Sequence, residues 1–200
     1  MSHYFETPSD PIKRHSVHAR IWGRDYDFTS ASGVFSQGRL DLGTSVLLRE
    51  CVPPAQAERL LDLGCGFGPI AVALAVEVPD AHVDAVDTNE RALQLTTENA
   101  ATHLVGERVH ALLPDQVAAD TRYDEIWSNP PIRIGKPALH ELLATWLPRL
   151  KPDGMAWLVV GRNLGADSLQ AWLIAQGWAT ERIASAKGFR VFKVTRADQS

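Results

Sequence analysis

The chain has little sulfur: two cysteines and two methionines in 200 residues. Cys51 and Cys65 stand in no metal-ligand spacing and are too few for a framework, which excludes disulfide-stapled secreted domains and zinc fingers. Long apolar runs are also missing. The longest, PIAVALAVEV at 69–78, contains Glu77 and falls short of the roughly 20 residues that a membrane-spanning helix needs. The opening MSHYFETPSDPIKRHS has no apolar stretch of the signal-peptide kind. Seven histidines show no H-x-x-x-H spacing, so no metal site is expected. Internal repeats and low-complexity tracts are absent. A cytoplasmic protein without membrane contact is the expectation.

What is present is ordinary globular material, 45% apolar and 22% charged, enough for one domain with a real core. Residues 1–15 read as a loose arm and 16–200 as a single domain. The net charge of -4 hides a division: residues 50–128 carry four basic and fourteen acidic side chains, residues 129–200 ten basic and five acidic. Two faces with different partners are one reading of this split, and scattered solvated charge is the other.

SVHARIW (16–22), Gly23-Arg24 and DYDFTS (25–30) predict a β-hairpin with a two-residue turn. GVFSQGRLDLG (33–43) leads into a helix over 42–51 that Pro53-Pro54 stops. From residue 58 strands and helices alternate. Strands are expected at 58–64, 82–87, 108–113, 123–128 and 155–161, and helices at 69–78, 89–103, 137–150 and 166–176. Pro148 ends or kinks the third of these helices, and KPDG (151–154) reads as a turn. WATERIAS (178–185) and FRVFKVTR (189–196) close as a hairpin. The fold class is therefore α/β: a Rossmann-like, doubly wound, mainly parallel sheet of about seven strands with an antiparallel C-terminal strand, preceded by the N-terminal β-hairpin. Ligands of such sheets bind beyond the carboxyl ends of the strands, where the loops at 62–69, 87–89 and 128–135 emerge.

Those loops carry the chemistry. DLGCGFGP puts Asp62, Gly64, Cys65, Gly66 and Gly68 at the exit of one strand, so that backbone passes close under a ligand. The spacing is G-x-G-x-G with an acid ahead of it. That suits a cation better than a pyrophosphate, which disfavours a nicotinamide-dependent oxidoreductase. Asp87 ends the next strand about twenty residues on, where an acid bonds a ribose diol, and Thr88 or Asn89 caps the helix that follows. In Asn129-Pro130-Pro131-Ile132 the prolines fix the backbone and remove two donors. The Asn129 side-chain oxygen and the Pro130 carbonyl remain as acceptors for a planar amino group. A merely stiff loop is the alternative. Ser128 lacks a nucleophile-elbow context, and His140 sits beside a leucine stripe, on the surface rather than as a base.

DLGCGFG, AVDTNERAL and NPPI, in this order, resemble the class I S-adenosylmethionine-dependent methyltransferases that act on exocyclic or amide nitrogens. GVFSQGRLDLGTSVLL, NPPIRIGKPALHELL and KGFRVFKV are similar to one branch of them, the methyltransferase small domain, which includes guanine-N2 methyltransferases of ribosomal RNA. The resemblance covers roughly residues 16–196. It implies S-adenosylmethionine as cofactor, with Asp62, Gly64 and Gly66 at its methionine moiety and Asp87 at its ribose. It places Phe35, Gln37 and Asp41 at the pocket's border, and Asn129 and Pro130 on the target amine. It implies ribosomal RNA or the small ribosomal subunit as partner. Two positions depart from the pattern. Ile132 stands where an aromatic usually stacks on the target base, and Ala111-Leu112-Leu113 where an acid usually meets adenine, with Asp115 following later. Arg133, Lys136, Lys187 and Arg190 are expected at the substrate mouth, or else Arg133 and Lys136 are solvated loop charges. The alternatives within the resemblance are a protein glutamine N-methyltransferase and a cofactor-binding assembly factor without catalysis.

Overall fold

The computed structural model describes residues 13–35, 38–131 and 134–197. Residues 1–12 of the expected arm, and the expected site residues Gln37, Ile132 and Arg133, lie outside them. A hairpin, β1 (Arg14–Ile21) and β2 (Arg24–Ala31), precedes α1 (Leu42–Glu50). Then follow β3 (Arg59–Leu63), α2 (Pro69–Glu77), β4 (His82–Val86), α3 (Glu90–Thr102), β5 (Val109–Leu112) and β6 (Tyr123–Ser128). The chain continues with α4 (Lys136–Trp146), β7 (Leu150–Gly161), α5 (Ala166–Ala175), β8 (Trp178–Ala186) and β9 (Phe189–Arg196).

Seven strands form one sheet in the order β5-β4-β3-β6-β7-β9-β8. β5, β4, β3, β6 and β7 run parallel, and β9 is antiparallel to both its neighbours. The expected antiparallel strand is thus inserted within the sheet. Strand order turns back at β3, with β4 on one side and β6 on the other, and the loops after all three leave the same edge. Apolar residues of α1, α2, α3 and the hairpin cover one face, and those of α4 and α5 the other. α2 is apolar all round and buried over Pro69–Ala75, as a helix between a sheet and other elements must be.

Three local expectations are corrected. The hairpin turns at Trp22-Gly23, not Gly23-Arg24. Both turn residues have positive φ (47° and 85°), which matches the twist of two-residue hairpins. β1 starts at Arg14, two residues before the expected strand, and the Arg14 guanidinium is bonded to Glu98 of α3. KPDG is no turn between elements: it is taken into β7 as an irregularity opposite Tyr123 and Glu125. A Cβ at Gly154 would stand 2.9 Å from the Asp124 carbonyl and 3.0 Å from that of Tyr123, so the bulge requires glycine. α4 ends at Trp146 and a 3-10 turn over Leu147–Arg149 holds Pro148, as expected of a proline there.

Asn99 of α3 ties the hairpin to the glycine loop. Its Oδ1 accepts from the Thr29 N–H (2.8 Å), and its Nδ2 donates to the carbonyls of Thr29 (2.9 Å) and Phe67 (2.8 Å). The side chain is 1% exposed. Asn99→Ala leaves three backbone groups without partners inside the protein, each costing about 1–3 kcal/mol. We expect a loss of about 3 kcal/mol or more in urea unfolding; a loss under 1 kcal/mol would show that water replaces the amide.

Candidate functional site

The three loops surround a cavity of about 260 Å³. Gly64, Gly66, Asp87, Thr88, Asn129, Pro130 and Pro131 all line it, and Phe35 and Asp41 close it from the N-terminal side. A small side chamber, lined by Cys65, Thr44 and Ile70 among others, shares Asp41, Gly64, Gly66 and Asn129 with it.

The glycine loop is shaped by the acid across from it. Asp87 Oδ2 accepts from the Gly66 N–H and Oδ1 from the Asn89 N–H, each at 2.9 Å. Burial pushes the Asp87 carboxyl up, against these backbone donors. Asn89, not Thr88, caps α3, accepting from the N–H groups of Arg91 and Ala92. Gly64 and Gly66 have φ of 80° and 58°. A Cβ at Gly66 would meet no atom within 4 Å, so any side chain there would project into the open space of the cavity.

Asp62 and Gly68 are placed differently from expectation. Asp62 is fully buried behind the loop and does not line the cavity; its Oδ2 accepts from the Ala71 N–H of α2 at 3.0 Å. Its Oδ1 is buried without a hydrogen-bond partner among the described residues, and burial pushes the carboxyl up to about 8. It therefore sets the angle at which α2 leaves β3. Gly68 caps α2 with φ 85°, and a Cβ there would stand 2.8 Å from Thr96, so it permits α2 and α3 to approach. The Cys65 thiol, buried in the side chamber, is held well above its usual range by burial and the nearby Asp87 and Asp62. Its place is one of size.

Asn129 is oriented by two partners. Its Nδ2 donates to Asp41 Oδ2 (2.7 Å) and to Thr44 Oγ1 (3.1 Å). A carboxylate only accepts, so the amide's nitrogen must face Asp41, and its oxygen is left for the cavity. The same Asp41 oxygen accepts from the Thr44 N–H (3.1 Å) as the N-cap of α1. A Cβ at Gly43 would stand 2.9 Å from Phe189 and 3.2 Å from Asn129 Nδ2, so glycine allows this junction. Ser128, just before the motif, donates to the Leu63 carbonyl at 2.6 Å and locks β6 to β3. Pro131's carbonyl is committed to the Ile134 N–H.

Sequence reasoning missed Gly43, Thr44 and Phe189, although all three lie in segments that carried the resemblance. Leu142 and Trp146 lie on the apolar stripe of α4, yet they line the cavity, as do Pro114 and Leu164; Asp115 does not. Of the expected mouth cations, Lys136 and Lys187 are exposed, the latter in the β8–β9 turn. Arg190 is not a free cation at the mouth: it is paired with Asp167 of α5. His140 stacks on Trp172 at 4.0 Å and lines no part of the cavity. Among the described residues, no three His, Cys, Asp or Glu side chains are grouped to hold a metal, and no helix is long and apolar enough to cross a membrane.

A cavity of this construction, at the switch point of this strand order, defines the class I S-adenosylmethionine-dependent methyltransferases. The cradle fits such a ligand: open glycine backbone below, the Asp87 carboxylate at the next strand end, and apolar walls. Within that class, the chain belongs to the methyltransferase small domain family, whose model matches residues 25–193. It is 34% identical to the uncharacterized protein YbxB of Bacillus subtilis, over 83% of this chain and 84% of that one. It is 33% identical to the ribosomal RNA large subunit methyltransferase G of Pseudomonas syringae, over 96% of this chain and 53% of that one. It is 38% identical to the ribosomal RNA small subunit methyltransferase C of Hahella chejuensis, over 66% of this chain and 39% of that one. The chain thus spans about half or less of these two named methyltransferases. Among solved structures, the Thermus thermophilus 16S rRNA N2 G1207 methyltransferase, in complex with AdoMet and guanosine, superposes with a TM-score of 0.74 at 22% identity. The match covers 94% of this chain and 52% of that one, and shows the shared fold.

Two outcomes are expected. Asp87→Ala should weaken S-adenosylmethionine by about 1.5–3 kcal/mol in calorimetry, the range of a hydrogen bond to a charged group; unchanged affinity would remove Asp87 from the ribose. Asp62 is protonated in the fold at a pH where the unfolded chain has already released that proton, so its contribution declines as pH rises from about 4 to 8. Melting temperatures of the ligand-free protein should fall over that window, and Asp62→Asn should flatten the fall.

Proposed function

We propose that the chain methylates the exocyclic amino group of a guanine in ribosomal RNA, with S-adenosylmethionine as methyl donor. The orientation of Asn129 carries this reading. S-adenosylmethionine supplies an electrophilic methyl on a sulfonium. The amine it alkylates has a lone pair delocalised into the base, so the protein's task is to localise that pair and stabilise positive charge growing on nitrogen. Asn129 Oδ1, turned to the cavity because Asp41 and Thr44 hold the amide nitrogen, accepts one amine hydrogen. The Pro130 carbonyl is the second acceptor of the motif. Both are fixed before substrate arrives, which is where such groups are most effective.

Gly64 and Gly66 form the floor for the cofactor, and Asp87 holds the ribose hydroxyls. Its two oxygens already accept from backbone N–H groups, but a carboxylate has about four acceptor sites. Phe35, Leu164 and Phe189 line the same cavity, and Ile132 is assigned the apolar shelf of the motif. No group of the motif titrates near neutrality. Proton loss from the methylated amine follows to water, which leaves His140 without a catalytic part.

Support for RNA as substrate comes from the two relatives named ribosomal RNA methyltransferases. The discriminating experiment is incubation with methyl-labelled cofactor and small-subunit ribosomal RNA, assembled small subunits, tRNA and a release factor, followed by nucleoside and peptide analysis. Label in N2-methylguanosine is expected. Label in protein glutamine would replace this function with the other nitrogen chemistry of Asn-Pro-Pro sites. Asn129→Ala should reduce the single-turnover rate about 10²–10³-fold with cofactor affinity little changed. His140→Gln should leave the rate within about twofold.

A further inference from the structure

A second concavity, a groove of about 580 Å³, lies between β1 and α1. Its wall holds Arg20, Arg39, Arg49 and His18, with Ser45, and contains no Asp or Glu among the described residues. That is a marked local excess in a chain whose acids outnumber its Lys and Arg by 24 to 20. All three arginines are exposed. The nearest acids stand outside the groove: Glu50 is bonded to Arg49 (2.7 Å), Asp27 to the His18 ring (2.9 Å), and Asp25 faces Arg20 across the hairpin, 3.9 Å from His18. Such exposed pairs hold little energy and exchange readily for a phosphate, to which a guanidinium offers two parallel donors.

The groove is joined to the active cavity. Leu40 lines both the groove and the side chamber next to Asn129. The helix between them, α1, begins at Asp41 in the cavity and presents Ser45, Leu48 and Arg49 along the groove. Leu42 to Arg49 spans about 10 Å at 1.5 Å per residue. At about 3.4 Å per nucleotide of a stacked strand, that is the reach of about three nucleotides.

We propose that this groove is the RNA track of the enzyme: the phosphodiester backbone flanking the target nucleotide runs along α1, gripped by Arg20, Arg39 and Arg49, while the target base enters the cavity past Asp41. The inference rests on RNA being the substrate. Arginine at three positions and no lysine suits phosphate recognition by geometry as well as charge.

The test uses the full chain and purified small-subunit ribosomal RNA. Binding is measured by filter retention over a salt series, for wild type and for Arg20→Glu/Arg39→Glu/Arg49→Glu. Each phosphate contact contributes about 0.7–0.9 to the slope of log affinity against log salt, so the triple variant should bind at least tenfold more weakly with a slope smaller by about 2. S-adenosylmethionine affinity, read by calorimetry, should stay within about twofold and so report an intact fold. The single variants Arg20→Gln and Arg49→Gln should each lower the slope by less than 1. If wild type binds RNA with a steep salt dependence and the triple variant matches it, the track is elsewhere and the RNA reading stands. If wild type itself shows no salt-dependent RNA binding, the RNA reading falls and this proposal with it.

Discussion

One carboxylate oxygen organises the site. Asp41 Oδ2 caps α1 through the Thr44 N–H and takes the Asn129 amide hydrogen at 2.7 Å, so one atom joins the N-terminal segment to the exit of β6. A side-chain amide on a loop end has two orientations that differ only in which of oxygen and nitrogen faces inward. An acceptor-only partner outside the cavity removes one of them. The orientation the chemistry requires is thereby set by a residue 88 positions away in sequence, on an element that is not part of the sheet. Gly43 and Ser128 serve the same junction: the first by leaving space, the second by fixing β6 against β3.

The fold was legible because its elements obey simple periodicities. Short apolar runs ending in Asp-x-Gly or Asn-Pro could only be buried parallel strands, and their exits located the site. What escaped was whatever depends on three-dimensional neighbours. KPDG has every local sign of a turn, but a bulge in β7 absorbs it because Gly154 fits between two carbonyls of β6. Asp62 sits in the glycine loop's signature and is counted naturally as a ligand contact, yet its side chain turns back to α2. Leu142 and Trp146 obey the helical stripe that marks core, and the stripe's outer edge is the cavity wall. Asp41 was legible as a site residue but not as the partner of Asn129, since nothing in a linear sequence shows which side chain an amide faces.

The charge division along the chain also takes a different form in space. The acidic middle third contributes buried or capping acids: Asp84 and Asp87 meet arginine or backbone partners, and Asp62 keeps its proton behind the glycine loop. The basic C-terminal third is partly neutralised within the fold, as Arg190 with Asp167 and Arg182 with the same acid show. The nearly balanced N-terminal stretch, by contrast, gathers three of its five arginines on one wall. Segment totals thus misplace the field, because partners are chosen across the sheet rather than along the chain.

The insertion of β9 between β7 and β8 has a consequence for the order of assembly. Both neighbours of β9 precede it in the chain, so until Phe189–Arg196 has left the ribosome the sheet has a gap between β7 and β8. β7 and β8 cannot close that gap by pairing with each other in the native order. Phe189, which packs against Gly43 at the cavity, arrives with the same strand. A nascent chain therefore carries its glycine loop long before it carries a closed cavity, which stays open on the Gly43 side until Phe189–Arg196 has been made.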